Sequence, residues 1–204
     1  MITTDPALAP YRGKRLSDLV ILALVALPAL AIGACCALAV RLSSPGPVLF
    51  RQERVGQNGV PFTVLKFRTM RDGDNPIIPD ASVITGVGAV LRRLSIDELP
   101  QLINVARGEM SVIGPRPTLA YQVERWTPEQ RNRLAVRPGL TGLAQVNGRN
   151  DLSWPERIEF DLEYVQQQSL RTDLAILAKT ATAMVGGEGS GATAADDPIA
   201  RVSS

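Results

Sequence analysis

The sequence predicts a mixed α/β protein, mainly helical, in which an N-terminal re-entrant membrane helical hairpin precedes one compact domain. An uncharged apolar run covers residues 19–40. Two strand-like segments flank the turn sequence Gln57-Asn58-Gly59. Apolar residues recur at helical spacing in the last third of the chain. The compact domain should therefore combine a short β-hairpin with helices, some of them at the membrane interface.

Composition excludes several kinds of chemistry. The 204 residues suit one domain, and a net charge of +2 gives little support for a nucleic-acid partner. Because the sequence contains no histidine, Ser-His-Asp and Cys-His catalysis and metal binding by imidazole are excluded. Cys35 and Cys36 are adjacent in the apolar run, which fits neither a disulfide framework nor a zinc site. Catalytic chemistry therefore falls to carboxylates, with arginines suited to phosphate.

The chain divides into four parts by composition. Polar residues and prolines begin it, and glycine, alanine, serine and aspartate dominate its end, so both termini should be flexible. The predicted parts are a flexible N-terminus at 1–11, a membrane helix at 12–42, a folded domain at 43–185 and a disordered tail at 186–204.

The apolar run is long enough to span a bilayer, but two features favour a re-entrant helix. Pro28 lies near its middle, and basic residues flank both ends, with Lys14 before it and Arg41 after it. Because positive flanks favour the cytoplasmic side, a helix that enters, breaks at Pro28 and returns on the same face satisfies both observations. A straight span and a processed secretory or lipoprotein signal are the alternatives.

Residues 48–50 and 60–70 are typical of two short strands, which the intervening turn would join into a β-hairpin. Alternation along the second strand places Lys66 and Arg68 on the same face. A cationic face suits phosphate or an anionic lipid. An ordinary solvated strand face explains the two residues equally well.

Asp97 and Glu98 are adjacent acidic residues at a predicted helix start. Pro100 is tolerated in a first helical turn, where backbone donors are unpaired in any case, and apolar residues follow at helical spacing up to Arg107. The positive end of a helix keeps carboxylates ionised and attracts phosphate, so a nucleophilic or metal-binding carboxylate would be well placed there. The alternative is a capping box, in which Ser95 caps the helix and Glu98 reaches back.

Arg116 lies between Pro115 and Pro117, which restrict the backbone on both sides. A rigidly placed guanidinium can clamp a phosphate in bidentate fashion. The alternative is a rigid turn that happens to carry a surface arginine.

A glycine-rich stretch follows at residues 137–150, and its glycines would permit close backbone approach to a ligand. Arg137 and Arg149 could meet phosphate there, while Gln145 and Asn147 offer amide groups for recognition. Ordinary turn chemistry is the alternative. Further helices are predicted at 128–134, 154–168 and 172–185, with packing against the core favoured over membrane contact.

Several motifs occur together along the chain. After a basic entry to the apolar segment come L-F-R-Q-E-R-V-G, K-F-R-T-M, L-S-I-D-E-L-P-Q-L-I-N-V, M-S-V-I-G-P-R-P and R-P-G-L-T-G-L-A-Q-V-N-G-R-N. In this combination residues 12–185 strongly resemble the bacterial sugar transferase family, and within it the small monotopic phosphoglycosyl transferases. One departure is Leu27-Pro28, where such hairpins often carry Ser-Pro.

This resemblance implies transfer of a sugar phosphate from a UDP-sugar to undecaprenyl phosphate, with release of UMP and a requirement for Mg²⁺. The enzyme would lie at the cytoplasmic face of the inner membrane. Asp97 would attack the β-phosphate and become a covalent phospho-sugar ester, Glu98 would bind Mg²⁺ together with Asp97, and Arg116 would hold phosphate. By a looser match, the nucleotide or phosphate sites would be lined by Lys66, Arg93, Arg137, Gln145 and Arg149.

Two other classes of function remain open from the sequence. A membrane-tethered phosphatase or pyrophosphatase could use the same carboxylate, and a non-catalytic membrane adaptor would use the acidic pair as a helix cap alone. The sequence specifies neither the sugar nor the pathway, and a homodimer is one candidate assembly.

Overall fold

The computed structural model describes residues 5–71, 83–148 and 152–186. Within these ranges it confirms a mixed, mostly helical α/β fold with a long apolar N-terminal helix and two small sheets. The helices are α1 (Lys14–Ser43), α2 (Gly86–Arg93), α3 (Gln101–Arg107), α4 (Ala120–Glu124), α5 (Leu143–Val146), α6 (Trp154–Gln167) and α7 (Leu170–Gly186). The strands are β1 (Leu49–Val55), β2 (Pro61–Phe67), β3 (Ser111–Ile113) and β4 (Gly139–Thr141).

Helix α1 is a single helix of 30 residues that continues through Pro28. The predicted hairpin with two separate arms is therefore not confirmed. The side chains of Leu24, Leu27 and Leu30, around the proline, are 75%, 79% and 71% exposed. Among the helices described, α1 alone is long and apolar enough to count as a candidate membrane span. Its middle presents a continuous apolar surface of the kind that contacts lipid.

The N-terminal end of α1 is bound into the domain by buried charges. Lys14 pairs with Asp173 of α7, with 2.6 Å between Nζ and Oδ2. Asp18 accepts hydrogen bonds from the hydroxyl of Ser111 at 2.7 Å and from the backbone N–H of Val112 at 3.0 Å. Because buried charges require such partners, these contacts fix the start of α1 against β3 and α7.

The C-terminal end of α1 is held on the same domain. Val40 packs against Phe67 of β2 and Leu91 of α2. The guanidinium of Arg68 donates to the carbonyl oxygens of Ser44 at 2.7 Å and Pro45 at 2.6 Å. Arg68 is therefore buried against the end of α1, and is not part of the open cationic face that strand alternation suggested.

Strands β1 and β2 form the predicted antiparallel hairpin, with Leu49 opposite Phe67 and Val55 opposite Pro61. The turn contains Asn58 in the left-handed region at φ 56°, which asparagine tolerates better than most residues. The first strand is longer than the predicted 48–50. Its second half, R-Q-E-R, lacks apolar alternation, and pairing with β2 holds it in the sheet.

Strands β3 and β4 form a parallel pair that the sequence pattern did not predict. Each has three residues, and Gly139 in β4 has no side chain to show an alternation. Ile113 of β3 belongs to the main buried cluster, together with Val105 of α3, Tyr164 of α6 and Ile176 of α7. This core fixes the chain segments that enter and leave β3.

The C-terminal helices agree closely with the predictions at 154–168 and 172–185. Helix α6 begins with a capping box, in which Ser153 accepts from the backbone of Glu156 and the Glu156 side chain returns to Ser153. The helix predicted at 128–134 is a 3-10 helix, Gln130–Ala135. Residues 5–11 contain a 3-10 turn, Pro6–Leu8. Residues 1–4, 72–82 and 149–151 and the predicted tail from 187 lie outside the described residues.

Candidate active site

The acidic pair lies in a single 3-10 turn, Ile96–Glu98, between α2 and α3. We call this segment the acidic turn. Ser95 precedes it in the left-handed conformation at φ 56°, and its side chain makes no capping hydrogen bond. The capping-box alternative is therefore wrong. The predicted end of the following helix is confirmed, since α3 ends at Arg107 and Gly108 takes the left-handed C-cap at φ 80°. The predicted start near Asp97 is wrong, because α3 begins at Gln101 and the acidic pair precedes it in the separate 3-10 turn.

Glu98 holds two cations from different parts of the chain. Its Oε1 accepts hydrogen bonds from Nζ of Lys66 in β2 at 2.7 Å and from Nη2 of Arg116 at 2.7 Å. Burial raises the pKa of Glu98, but the positive charges of Arg116 and Lys66 outweigh this effect and lower it to about 2. Glu98 is thus ionised at neutral pH and gathers positive charge at the turn.

Asp97 differs from its neighbour because its carboxylate is unpaired. No ion pair or hydrogen bond to it occurs within the described parts of the chain. Burial raises the pKa of its carboxyl group, and the negative charge of Glu98 raises it further. The charges of Lys66, Arg116 and Arg92 oppose this rise without cancelling it. An accessible carboxylate of raised basicity, surrounded by cations, suits nucleophilic attack on a phosphate.

Asn104, which the sequence interpretation did not select, aligns the acidic turn with Lys66. It is fully buried on α3, and its Nδ2 donates to the backbone carbonyl of Thr63 in β2 at 2.7 Å. Its Oδ1 accepts from the backbone N–H of Leu65 at 3.2 Å. A polar residue inside the apolar face of a predicted helix was the available signal.

The glycine-rich stretch at residues 137–150 supports the loop between β3 and α4 that carries Arg116, here called the Arg116 loop. A Cβ atom on Gly139 would lie 2.1 Å from the backbone nitrogen of Gly114, and one on Gly142 would lie 2.2 Å from the Gly114 carbonyl oxygen. These distances are shorter than any allowed contact. The close backbone approach predicted for these glycines is therefore made to the chain itself, just before Pro115 and Arg116, and here no ligand is needed to explain it.

The remaining predicted residues are placed less directly. Arg93 is exposed at the end of α2, and it is the preceding Arg92 whose charge acts on Asp97. Arg137 is half-buried, with its carbonyl near Gly114. Both amide atoms of Gln145 are buried on α5 without a hydrogen-bond partner among the described residues. Arg149 lies outside those residues.

Comparison with known proteins identifies one family. The family model described as bacterial sugar transferase matches residues 10–187. "Uncharacterized sugar transferase EpsL" of Bacillus subtilis (strain 168) is 46% identical over 153 residues, covering 74% of this chain and 76% of that protein. "Exopolysaccharide production protein ExoY" of Rhizobium meliloti (strain 1021) is 44% identical over 171 residues, with coverages of 74% and 76%.

A third relative has a more specific name. It is the "UDP-glucose:undecaprenyl-phosphate glucose-1-phosphate transferase" of Caulobacter vibrioides (strain ATCC 19089 / CIP 103742 / CB 15). It is 43% identical over 193 residues, which cover 88% of this chain and 72% of that protein. The family match spans nearly all of the described fold, including the acidic turn, the Arg116 loop and α1. This chain therefore belongs to the bacterial sugar transferase family, and it is an enzyme.

Proposed function

We propose that the enzyme transfers a sugar phosphate from a UDP-sugar to undecaprenyl phosphate and releases UMP. The relative from Caulobacter vibrioides carries the name of such a reaction with glucose. The single observation that carries the proposal is the contrast within the acidic turn. Glu98 binds two cations, whereas the adjacent Asp97 is left with an unpaired carboxylate.

The reaction follows in two displacements. A carboxylate oxygen of Asp97 attacks the β-phosphorus of the donor, and the bond from that phosphorus to the bridging oxygen breaks, so that UMP leaves with the electron pair. An oxygen of the lipid phosphate then attacks the same phosphorus, and the bond to Asp97 breaks. The carboxylate is regenerated, and the product is a polyprenyl-diphosphate sugar.

Cations at the turn would lower the barrier by neutralising charge on the phosphates. Arg116 can reach the reacting group because its side chain is 47% exposed, and Lys66 binds the same oxygen of Glu98. Arg92 acts on Asp97 from α2. Because Glu98 orients two of these groups at once, we assign it the role of positioning the cations beside the nucleophile.

The acidic turn also fits Mg²⁺, which binds through one or two carboxylates together with substrate phosphates. No group of three or more Cys, Asp or Glu side chains that could hold a metal occurs in the described ranges, so the donor would complete the coordination. Asp97 offers an unpaired carboxylate, and Glu98 offers Oε2 because both cations bind Oε1. When bound, Mg²⁺ would supply further neutralisation of the diphosphate charge.

We also propose that α1, although helical throughout, dips into the membrane from the cytoplasmic face and keeps both of its ends on that face. Support comes from its contacts, since Lys14 near one end and Val40 near the other both bind the same domain. A straight span would separate these ends by the thickness of the bilayer. Tags at both termini should then be reached from the cytoplasmic side alone. Labelling of either tag from the periplasm would contradict this topology.

The test of function is UMP release from a panel of UDP-sugars with Mg²⁺, with and without undecaprenyl phosphate. We expect turnover that requires the lipid, and a covalent adduct on Asp97 when the lipid is omitted, detected as a mass increase equal to the sugar phosphate. Release of inorganic phosphate without lipid would indicate a phosphatase. Full activity of a folded Asp97→Asn protein would exclude the assigned nucleophile.

A further inference from the structure

The loop that carries Arg116 is held by hydrogen bonds to four successive backbone carbonyls. The carbonyl oxygen of Pro115 accepts from the backbone N–H of Gly139 at 2.8 Å, and that of Thr118 accepts from the N–H of Val55 at 2.9 Å. Between them, the carbonyl groups of Arg116 and Pro117 accept from two arginine side chains. Prolines have no N–H to donate, so the carbonyl groups of this loop are its main attachment points.

The carbonyl oxygen of Arg116 accepts from Nη2 of Arg133 at 3.1 Å. Arg133 is 2% exposed in the 3-10 helix before β4. The same Nη2 donates to Oδ2 of Asp161 on α6, which is 1% exposed. The guanidinium carbon also lies 4.6 Å from the centre of the Trp126 ring. The salt bridge to Asp161 and the contact with the Trp126 ring together restrict the Arg133 guanidinium to one orientation.

The neighbouring carbonyl, that of Pro117, accepts from Nη1 of Arg54 in β1 at 3.2 Å. The Oε1 atom of Gln52 accepts from the Nε and Nη2 atoms of Arg54 at 3.1 and 2.5 Å. Burial lowers the pKa of Arg54 to about 10, and the positive charge of Arg116 contributes to the shift. Arg54 thus supports the loop through the Pro117 carbonyl, and Arg133, at 2% exposed, is too deeply buried to touch a substrate.

We propose that Arg133, held by Asp161, is a positioning residue. From the buried side of the loop it fixes the Arg116 backbone and thereby the location of the Arg116 guanidinium. The inference rests on the proposed function, in which Arg116 binds a donor phosphate. A hydrogen bond to the Arg116 carbonyl fixes the backbone from which its side chain extends. An error of about 1 Å in such a group can reduce catalysis substantially.

Removing Arg133 alone would leave Asp161 as an unpaired buried charge and risks unfolding. The test therefore uses the paired change Arg133→Met with Asp161→Asn, which removes the hydrogen bond to Arg116 without leaving a charge. Arg131→Lys is the matched control, since Arg131 lies in the same 3-10 helix and donates to the Glu124 carbonyl away from the acidic turn. Each protein is made in the wild-type background and with Arg116→Lys.

We expect the paired change to lower kcat/KM for the donor about tenfold in the wild-type background, and less than about twofold when Arg116 is already lysine. A role in stability alone would reduce activity by the same factor in both backgrounds, and this result would overturn the proposal. Unchanged kcat/KM in the wild-type background would also overturn it.

Calorimetry of UDP-sugar binding in the same set of proteins tests the role of Arg133 separately from the proposed transfer reaction. The affinity should fall after the paired change and fall little further in the Arg116→Lys background. This readout requires no turnover. Absence of transfer by the wild-type enzyme would count against the proposed reaction, while equal losses of affinity in both backgrounds would count against the role of Arg133.

Discussion

The Nζ atom of Lys66 lies 2.7 Å from Oε1 of Glu98, so an ion pair joins the β-hairpin to the acidic turn. The two residues are 32 positions apart in sequence, and their side chains are 22% and 17% exposed. The same oxygen accepts from Arg116. One carboxylate thus brings together three separate segments of the chain around the proposed nucleophile.

Replacing Asp97 with asparagine should abolish transfer while preserving the fold. We expect a loss of about 10³-fold or more in UMP release, because the amide cannot form the phospho-sugar ester. The thermal midpoint should be unchanged or slightly higher, since the substitution removes repulsion between Asp97 and Glu98. Asp5→Asn, an exposed change near the N-terminus, is the control. A fall in both activity and midpoint would instead indicate a structural role.

Glu98 should make stability depend on pH in the acidic range. Its pKa is about 2 in the folded protein and 4.5 ordinarily, so it stabilises the fold above about pH 4.5, and this contribution is lost as the pH falls toward 2. We expect the free energy of unfolding of the wild type to fall more steeply between pH 5 and pH 2 than that of Glu98→Gln, by on the order of 2 kcal/mol.

Urea unfolding across this pH range provides the measurement. Glu124→Gln, a change at an exposed position on α4, should follow the wild-type curve. Parallel curves for the wild type and Glu98→Gln would show that the ion pairs with Lys66 and Arg116 contribute no stability.

Gly139→Ala should distort the Arg116 loop, because the added methyl group would lie 2.1 Å from the backbone nitrogen of Gly114. Both partners belong to the backbone and cannot move aside easily. We expect a loss of about 2 kcal/mol or more in the free energy of unfolding, together with weaker donor binding. Gly86→Ala, at the start of α2, has no atom within 4 Å of the new Cβ and should be neutral or slightly stabilising. Equal effects of the two substitutions would contradict this account.

The exposed leucines of α1 should contribute to membrane binding and not to the stability of the domain. Replacing Leu24, Leu27 and Leu30 together with serine removes apolar surface that has no protein cover, so vesicle binding should fall at least about tenfold. The thermal midpoint in detergent should change little. Asp18→Asn should show the opposite pattern, because Asp18 is buried and binds Ser111 and Val112. Membrane binding that survives the leucine changes would assign it to other surfaces.

Local patterns predicted much of this molecule, and their success has identifiable causes. The long apolar run, the Gln57-Asn58-Gly59 turn and the helix that begins at Trp154 each depend on residues close in sequence. Pairing of β3 with β4 depends on contact between residues 111–113 and 139–141, and neither segment carries a local strand pattern. The parallel sheet was therefore invisible to an analysis of periodicity.

The site shows the same division. Asp97, Glu98, Lys66 and Arg116 lie in recognisable motifs, and the structure brings them together. Arg54 and Arg133 were not selected, because an arginine that supports a loop cannot be told from a surface arginine without the fold. Arg92 and Asn104 were also not selected, although Asn104 carried a local signal as a polar residue on the apolar face of a predicted helix. Arg93, Arg137, Gln145 and Arg149 stay predictions.

The attachment of α1 at both ends has a consequence for how substrates meet. A domain on a flexible linker could sample many heights above a bilayer, but a domain fastened through Lys14 and through Arg68 cannot tilt away from its helix. If α1 is seated in lipid as proposed, this attachment keeps the acidic turn at a constant depth. The proposed lipid acceptor would then need only lateral diffusion in the plane of the leaflet to find the turn, and its search would be reduced from three dimensions to two.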